Sequence, residues 1–213
     1  MTNGFVKILL SGNRIPNYFE TTELFISKFD SSFSVQEIII DVGGHFEYVV
    51  NKDELRGMLP VIGKVQVQNN AESFPVEAGQ IRFDYLSTGD KLKYLNVLET
   101  EPICLLEMIV DDPVKINNTF LLELPNNKLV QLIPSAELVM YKFFIGKFAA
   151  REKATFVITG KVYAYVVEGA FELNERLLQR ADGLLIESSQ QFDFECLSLE
   201  GVLLVAVHTT NVP

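Results

Sequence analysis

Apolar and polar positions along the chain fall into two rhythms. In Phe192-Asp193-Phe194-Glu195-Cys196-Leu197 they alternate, which puts Phe192, Phe194 and Cys196 on one face and the two acids on the other, as a half-buried strand requires. The next apolar segment, Val202-Leu203-Leu204-Val205, has no polar interruption and needs cover on both faces. The first half shows the same order, with Leu92 to Val97 alternating and Ile103-Cys104-Leu105-Leu106 continuous. Many short segments of this kind, separated by turn signals, predict an all-β barrel or sandwich and not a layered α/β fold. Helix signals are few. Ser135-Ala136-Glu137 is a candidate start, but Leu138 to Ile145 after it is rich in β-formers and reads as strand, and Tyr18 to Phe29 fits either a short helix or a strand.

The chain also repeats itself. Leu59-Pro60-Val61-Ile62-Gly63 leads into Lys64-Val65-Gln66-Val67 and then, after a polar turn, Val76-Glu77-Ala78-Gly79-Gln80-Ile81. Tyr165-Val166-Val167-Glu168-Gly169 leads into Ala170-Phe171-Glu172-Leu173 and then Arg180-Ala181-Asp182-Gly183-Leu184-Leu185. The paired glycines, 63 with 79 and 169 with 183, are 16 residues apart in one copy and 14 in the other, a two-residue difference in hairpin length. All four glycines are expected at turns that need φ > 0. Asp111-Asp112-Pro113 interrupts the apolar pattern and predicts domains at 1–112 and 113–213, with Pro113 to Pro134 also readable as a shared arm.

Composition narrows the function. With 18 Lys+Arg against 28 Asp+Glu the formal charge is −10, and the cations are not clustered, so nucleic acid and anionic membranes are not expected partners. The N-terminal apolar stretch is broken by Lys7 and is shorter than a signal-peptide core, so a cytoplasmic protein is expected. Cys104 and Cys196 sit inside apolar segments and read as buried free thiols. Lys147, Arg151, Glu152 and Lys153 read as a solvated loop, and His208 as a half-exposed strand end. No nucleophile elbow, phosphate loop or close Cys/His pair is present, and no catalytic residue is assigned.

The doubled strand, glycine, hairpin and Ala-Gly or Ala-Asp-Gly pattern resembles the cupin barrel, a double-stranded β-helix. Two copies in one chain resemble the pirin-like and quercetin-dioxygenase-like bicupins. Tyr165 to Leu184 is similar to the C-terminal cupin of that group, and Arg56-Gly57-Met58-Leu59-Pro60-Val61-Ile62-Gly63 to the corresponding strand and turn of bacterial members. Cupin enzymes hold a transition metal through three histidines and a glutamate. Counting from the glycines puts those positions at Val49, Asn51, Arg56 and Arg82 in the first copy and at Thr155, Val157, Val162 and Ile186 in the second, a set that looks like barrel core. None is a metal ligand, so no metal and no cofactor are expected.

Arg56 and Arg82 are the informative substitutions. Facing inward, each is expected either to pair with Glu47, Asp84 or Glu107 or to bind a small carboxylate or phosphate. His45 and Glu47 complete the candidate cavity residues. The leading expectation is a metal-free, non-enzymatic bicupin with a small ligand in its first barrel. The alternative is a protein-interaction module with both barrels filled. A metal-dependent dioxygenase of the quercetinase type is the reading that these residues contradict.

Overall fold

The computed structural model describes residues 5–70, 72–111, 114–133 and 140–209. Within them the chain is built of β-strands, with one 3-10 turn at Ser11–Asn13 and no α-helix. The stretch from Tyr18 to Phe29 is strand, since Asn17–Phe19 and Thr22–Lys28 pair antiparallel. The strand expected after the weak helix signal is present as Tyr141–Ala149, while the signal itself and Leu138-Val139 lie outside the described residues. No helix among the described residues is long and apolar enough to cross a membrane.

Two compact units form, Arg14–Glu123, and Met1–Asn13 together with Leu124–Pro213. This differs from a division at 112/113. The strand Val6–Leu9 pairs antiparallel with Gly183 to Ile186, so the start of the chain belongs to the C-terminal unit. Glu187 N donates to Phe5 O at 3.0 Å, and Ser11 N donates to the buried Asp182 carboxylate at 2.6 Å. The arm after Pro113 is divided as well. Asn117–Leu121 pairs with Gln80–Leu86 in the first unit, and Lys128–Gln131 with Tyr141–Ala149 in the second.

The first unit has two sheets. The larger runs, in spatial order, Asn117–Leu121, Gln80–Leu86, Glu54–Ile62, Ile103–Val110, Phe33–Ile40, Thr22–Lys28 and Asn17–Phe19. The smaller runs His45–Val49, Lys91–Asn96, Lys64–Asn69 and Glu72–Glu77. Ile38, Met58 and Leu105 from the larger sheet meet Val67, Leu92 and Tyr94 from the smaller in one apolar core. The central strands Glu54–Ile62 and Ile103–Val110 are buried on both faces, which is why they read as almost unbroken apolar runs.

The second unit is organised by two long strands, Lys153–Glu168 and Gly183–Cys196, which pair across irregular registers. Gly160 marks the irregularity, with φ +143 and no room for a Cβ against the His208 carbonyl oxygen. Phe148, Phe171, Phe192 and Phe194 fill this interior, and Phe148 meets Phe194 edge to face at 4.8 Å. Asp193 and Glu195 lie on the opposite face of their strand from Phe192 and Phe194, as the alternation requires.

The repeat glycines behave as turn residues in three of four cases, with φ of +79 at Gly63, +84 at Gly79 and +81 at Gly169. Gly183 instead opens a strand, and the left-handed position of its turn is Ala181, at φ +68. That turn is closed by Asp182, whose carboxylate accepts from Gln179 N at 2.9 Å. A side chain that caps the turn thus holds an alanine in a conformation for which glycine is usually selected.

Because Val6–Leu9 pairs only with the second unit, a chain lacking its first ten residues is expected to lose about 1–3 kcal/mol of stability in that unit alone. Hydrogen exchange checks this. The Glu187 amide should exchange much faster, and the Leu105 and Met108 amides at their original rate.

Candidate functional site

A cavity of about 550 Å³ opens in the first unit. Its walls are apolar, from Leu24, Ile26, Phe46, Val49 and Ile109, and its floor is polar, from Glu54, Arg56, Gln36 and Ser34. The floor follows from strand alternation. Glu54, Arg56 and Met58 share one face of their strand, and Met58 belongs to the core between the sheets, so Arg56 faces inward. On the neighbouring strand Glu107 lies opposite Met58, one diagonal step from Arg56.

The guanidinium is thereby bracketed by two carboxylates. Arg56 Nε donates to Glu54 Oε1 at 2.5 Å, and Nη1 donates to Glu107 Oε2 at 2.8 Å. The smaller sheet closes the cluster. Tyr94 and Tyr48 both donate to Glu107 Oε1, the latter at 3.1 Å, and the Tyr48 ring lies 4.0 Å from the Arg56 Cζ in cation–π geometry. Glu107, fully buried, thus accepts three hydrogen bonds. Burial opposes the Arg56 charge, but Glu107, the two tyrosines and Glu54 outweigh it and hold the guanidinium above its ordinary pKa. Burial, reinforced by the adjacent Glu107 carboxylate, pushes both phenols well above their ordinary value.

Arg82 lies elsewhere. Its Nε donates to Asp84 Oδ2 at 2.9 Å, its Nη2 sits 2.8 Å from Oδ1, and its Cζ lies 3.6 Å from the Phe74 centroid. It does not line the cavity. Burial raises the Asp84 carboxyl pKa, with Arg82 pulling the other way. His45 and Glu47 are exposed and outside the cavity lining, and Glu47 sits 3.7 Å from Lys93. They alternate with Phe46 and Tyr48, which take the inward face. Of the four candidate residues, then, Arg56 alone lines the cavity.

The strands of the second unit carry the sequence signature of the quercetinase C-terminal cupin domain, whose family model matches residues 140–207. No curated protein matches the sequence. Among solved structures, the bacterial pirin YhhW from Escherichia coli, determined in complex with nickel(II), superposes with a TM-score of 0.80 at 15% identity over 97% of this chain and 100% of that one. The fold is that of a pirin-like cupin. AerE from Microcystis aeruginosa shares it at a TM-score of 0.75 and 11% identity, over 95% of this chain and 98% of that one. YhaK from E. coli does so at 0.72 and 13%, over 93% and 95%.

On this cupin fold the positions counted as metal ligands scatter. Val49 and Asn51 border the cavity, while Arg56 and Arg82 are committed to ion pairs. In the second unit only Val162 and Ile186 are core. Thr155 and Val157 are exposed, contrary to expectation, because Ala154 and Phe156 take the inward face of that segment. Thr155 donates outward to Asp193 at 2.7 Å. Cys104 and Cys196 are buried thiols outside any disulfide. His208 is half-buried against Tyr141, with ring centroids 4.8 Å apart. Lys147, read as loop, lies within a strand and pairs with Glu200 at 2.8 Å. Arg151 and Lys153 flank Glu195, and the Lys153 hydrogen bond leads in lowering that carboxyl's pKa.

Glu54, Tyr48 and Tyr94 were not singled out by the sequence reading. The available signal was the lone charge of Glu107 inside the apolar strand Ile103–Val110, which demands buried partners.

Two outcomes follow from this cluster. Arg56→Met leaves Glu54 and Glu107 without their shared cation and is expected to destabilise the first unit by about 3–5 kcal/mol, measured by urea unfolding. In alkali the tyrosines decide the sign. Their folded pKa values exceed the unfolded value of 10.0, so the unfolded chain releases protons first and stability falls as pH rises above that point. The slope is up to about 1.4 kcal/mol per pH unit for each tyrosine, and a Tyr48→Phe/Tyr94→Phe variant should lack that component of the fall.

Proposed function

We propose that this chain works by binding a small molecule in the cavity of its first barrel, without metal-dependent chemistry of the cupin type. The observation that carries the proposal is the cavity itself, an open space of about 550 Å³ with apolar walls and a prearranged polar floor. Among the described residues of the second barrel, aromatic side chains pack against one another in the interior.

The donor set does not suit a transition metal. Two of the four counted ligand positions in the first copy are arginines, whose guanidinium groups offer no lone pair to a metal ion and are already held by carboxylates. Among the described residues no three His, Cys, Asp or Glu side chains converge as a metal-holding group. The nickel(II) of the E. coli pirin and the dioxygenase chemistry suggested by the quercetinase family name therefore find no support in these side chains. The protein-interaction alternative calls for two filled barrels, and the hollow first barrel favours ligand binding over it.

A thermal-shift screen of a small-molecule library tests the proposal on the whole chain. Ile26 lies on the cavity wall and is already 40% exposed, so Ile26→Trp is expected to block the space and leave the fold intact. Hits should raise the wild-type midpoint by about 2 °C or more and lose that shift in the variant. A library whose hits act equally on both proteins, or that yields none, would sink the binding reading.

A further inference from the structure

We infer that the ligand of the first barrel is a small organic cation, a primary ammonium on a compact apolar body, held by Glu54. This rests on the reading of the cavity as a binding site and gives that site its chemical class. Of the two alternatives the sequence left for Arg56 and Arg82, ion pairing or the binding of a small carboxylate or phosphate, the second would have called for the opposite charge.

The charge balance around Arg56 reverses that expectation. Its Nε and Nη1 are engaged by Glu54 and Glu107, so the guanidinium is neutralised twice over and one formal negative charge is left on the floor. The rest of the lining does not restore the balance. Lys28 and Lys52 are matched in number by Asp30 and Asp111, of which Lys52 and Asp111 pair at 3.2 Å, so the count is three cations against four anions once Glu107 is included behind Arg56. An anionic head group would enter against this charge and compete for a guanidinium that is already paired. A cationic one would complete it.

The acceptor for that cation is identifiable. All three strong bonds to Glu107 come from within the chain, and that carboxylate is fully buried behind Arg56. Glu54 differs. Its Oε1 is taken by Arg56, but nothing among the described residues donates to Oε2, although its side chain is only 7% exposed. That oxygen keeps the side chain's remaining solvent contact and is open to a donor. Glu54 lines the cavity, so the partner can come from there. Gln36 and Ser34 line the same space and supply neutral acceptors for the remaining N–H groups of an ammonium, while Ile26 and Phe46 suit its apolar body.

Isothermal titration of the full chain with three isosteric probes, benzylammonium, benzyl alcohol and benzoate, at neutral pH and low salt tests this. Benzylammonium should bind about tenfold or more tighter than benzyl alcohol, and benzoate weakest of the three. In Glu54→Gln, which keeps an acceptor for Arg56 Nε, the advantage of benzylammonium over benzyl alcohol should vanish. The wild-type ranking stands as a test even where the variant folds poorly. Equal or tighter binding of the alcohol or the carboxylate overturns the cation assignment and leaves the cavity reading in place. If none of the three binds while the library still yields hits sensitive to Ile26→Trp, the cation assignment alone falls. If neither does, both readings fall.

Discussion

A guanidinium inside a β-barrel sets the terms for everything around it. Removing the Arg56 charge from water costs several kcal/mol, and a single carboxylate would return only part of that. The first unit supplies two, from its own strand and from the neighbouring one, and then satisfies the buried Glu107 with two phenols from the opposite sheet. The network therefore joins the two sheets at the level where the apolar core gives out. It also holds Tyr48, which lines the cavity, against the Arg56 guanidinium and beside the core residue Tyr94. The polar floor and the open cavity above it are thus one consequence of placing Arg56 inward.

Much of this architecture was legible because strand alternation is a local property. The rhythm of Phe192 to Leu197 and the continuous run from Ile103 marked half-buried and fully buried strands, and both occur where the pattern put them. The partner of a strand is not local. Val6–Leu9 carries no mark that it pairs with residues 183 to 186, so a boundary drawn from composition assigned it to the nearer unit. The same limit applies within the site. Arg56, Asp84 and Glu107 were legible as charges in apolar strands that demand partners, whereas Tyr48 and Tyr94 read as ordinary core until the second sheet brings their hydroxyls to Glu107. His45 and Glu47 were readable as outward residues, since Phe46 and Tyr48 alternate with them and take the core face.

The two copies of the repeat show what the network is not needed for. In the second unit Leu203, Val205 and Val207 face the interior, and four phenylalanines pack there. In the first, the strand Ile103–Val110 presents Ile103 and Leu105 and then Glu107. Both units are closed β-structures with a continuous core, so the fold itself does not require an ion cluster. Exchange of a buried ion group for apolar residues of similar volume is often neutral or stabilising, whereas loss of a single partner is strongly destabilising.

That asymmetry bears on function. An apolar interior is within reach of this repeat, as the core cluster of the second unit shows, and such an exchange is often no loss of stability. The first unit instead keeps a charged floor, an unpartnered Glu54 oxygen and an open space beside them. The open space forgoes dispersion contacts, and the floor carries one more negative charge than positive. A cationic ligand that fills the space and donates to Glu54 would restore the contacts and balance the charge at once, which is why the cavity and the charge belong to one explanation.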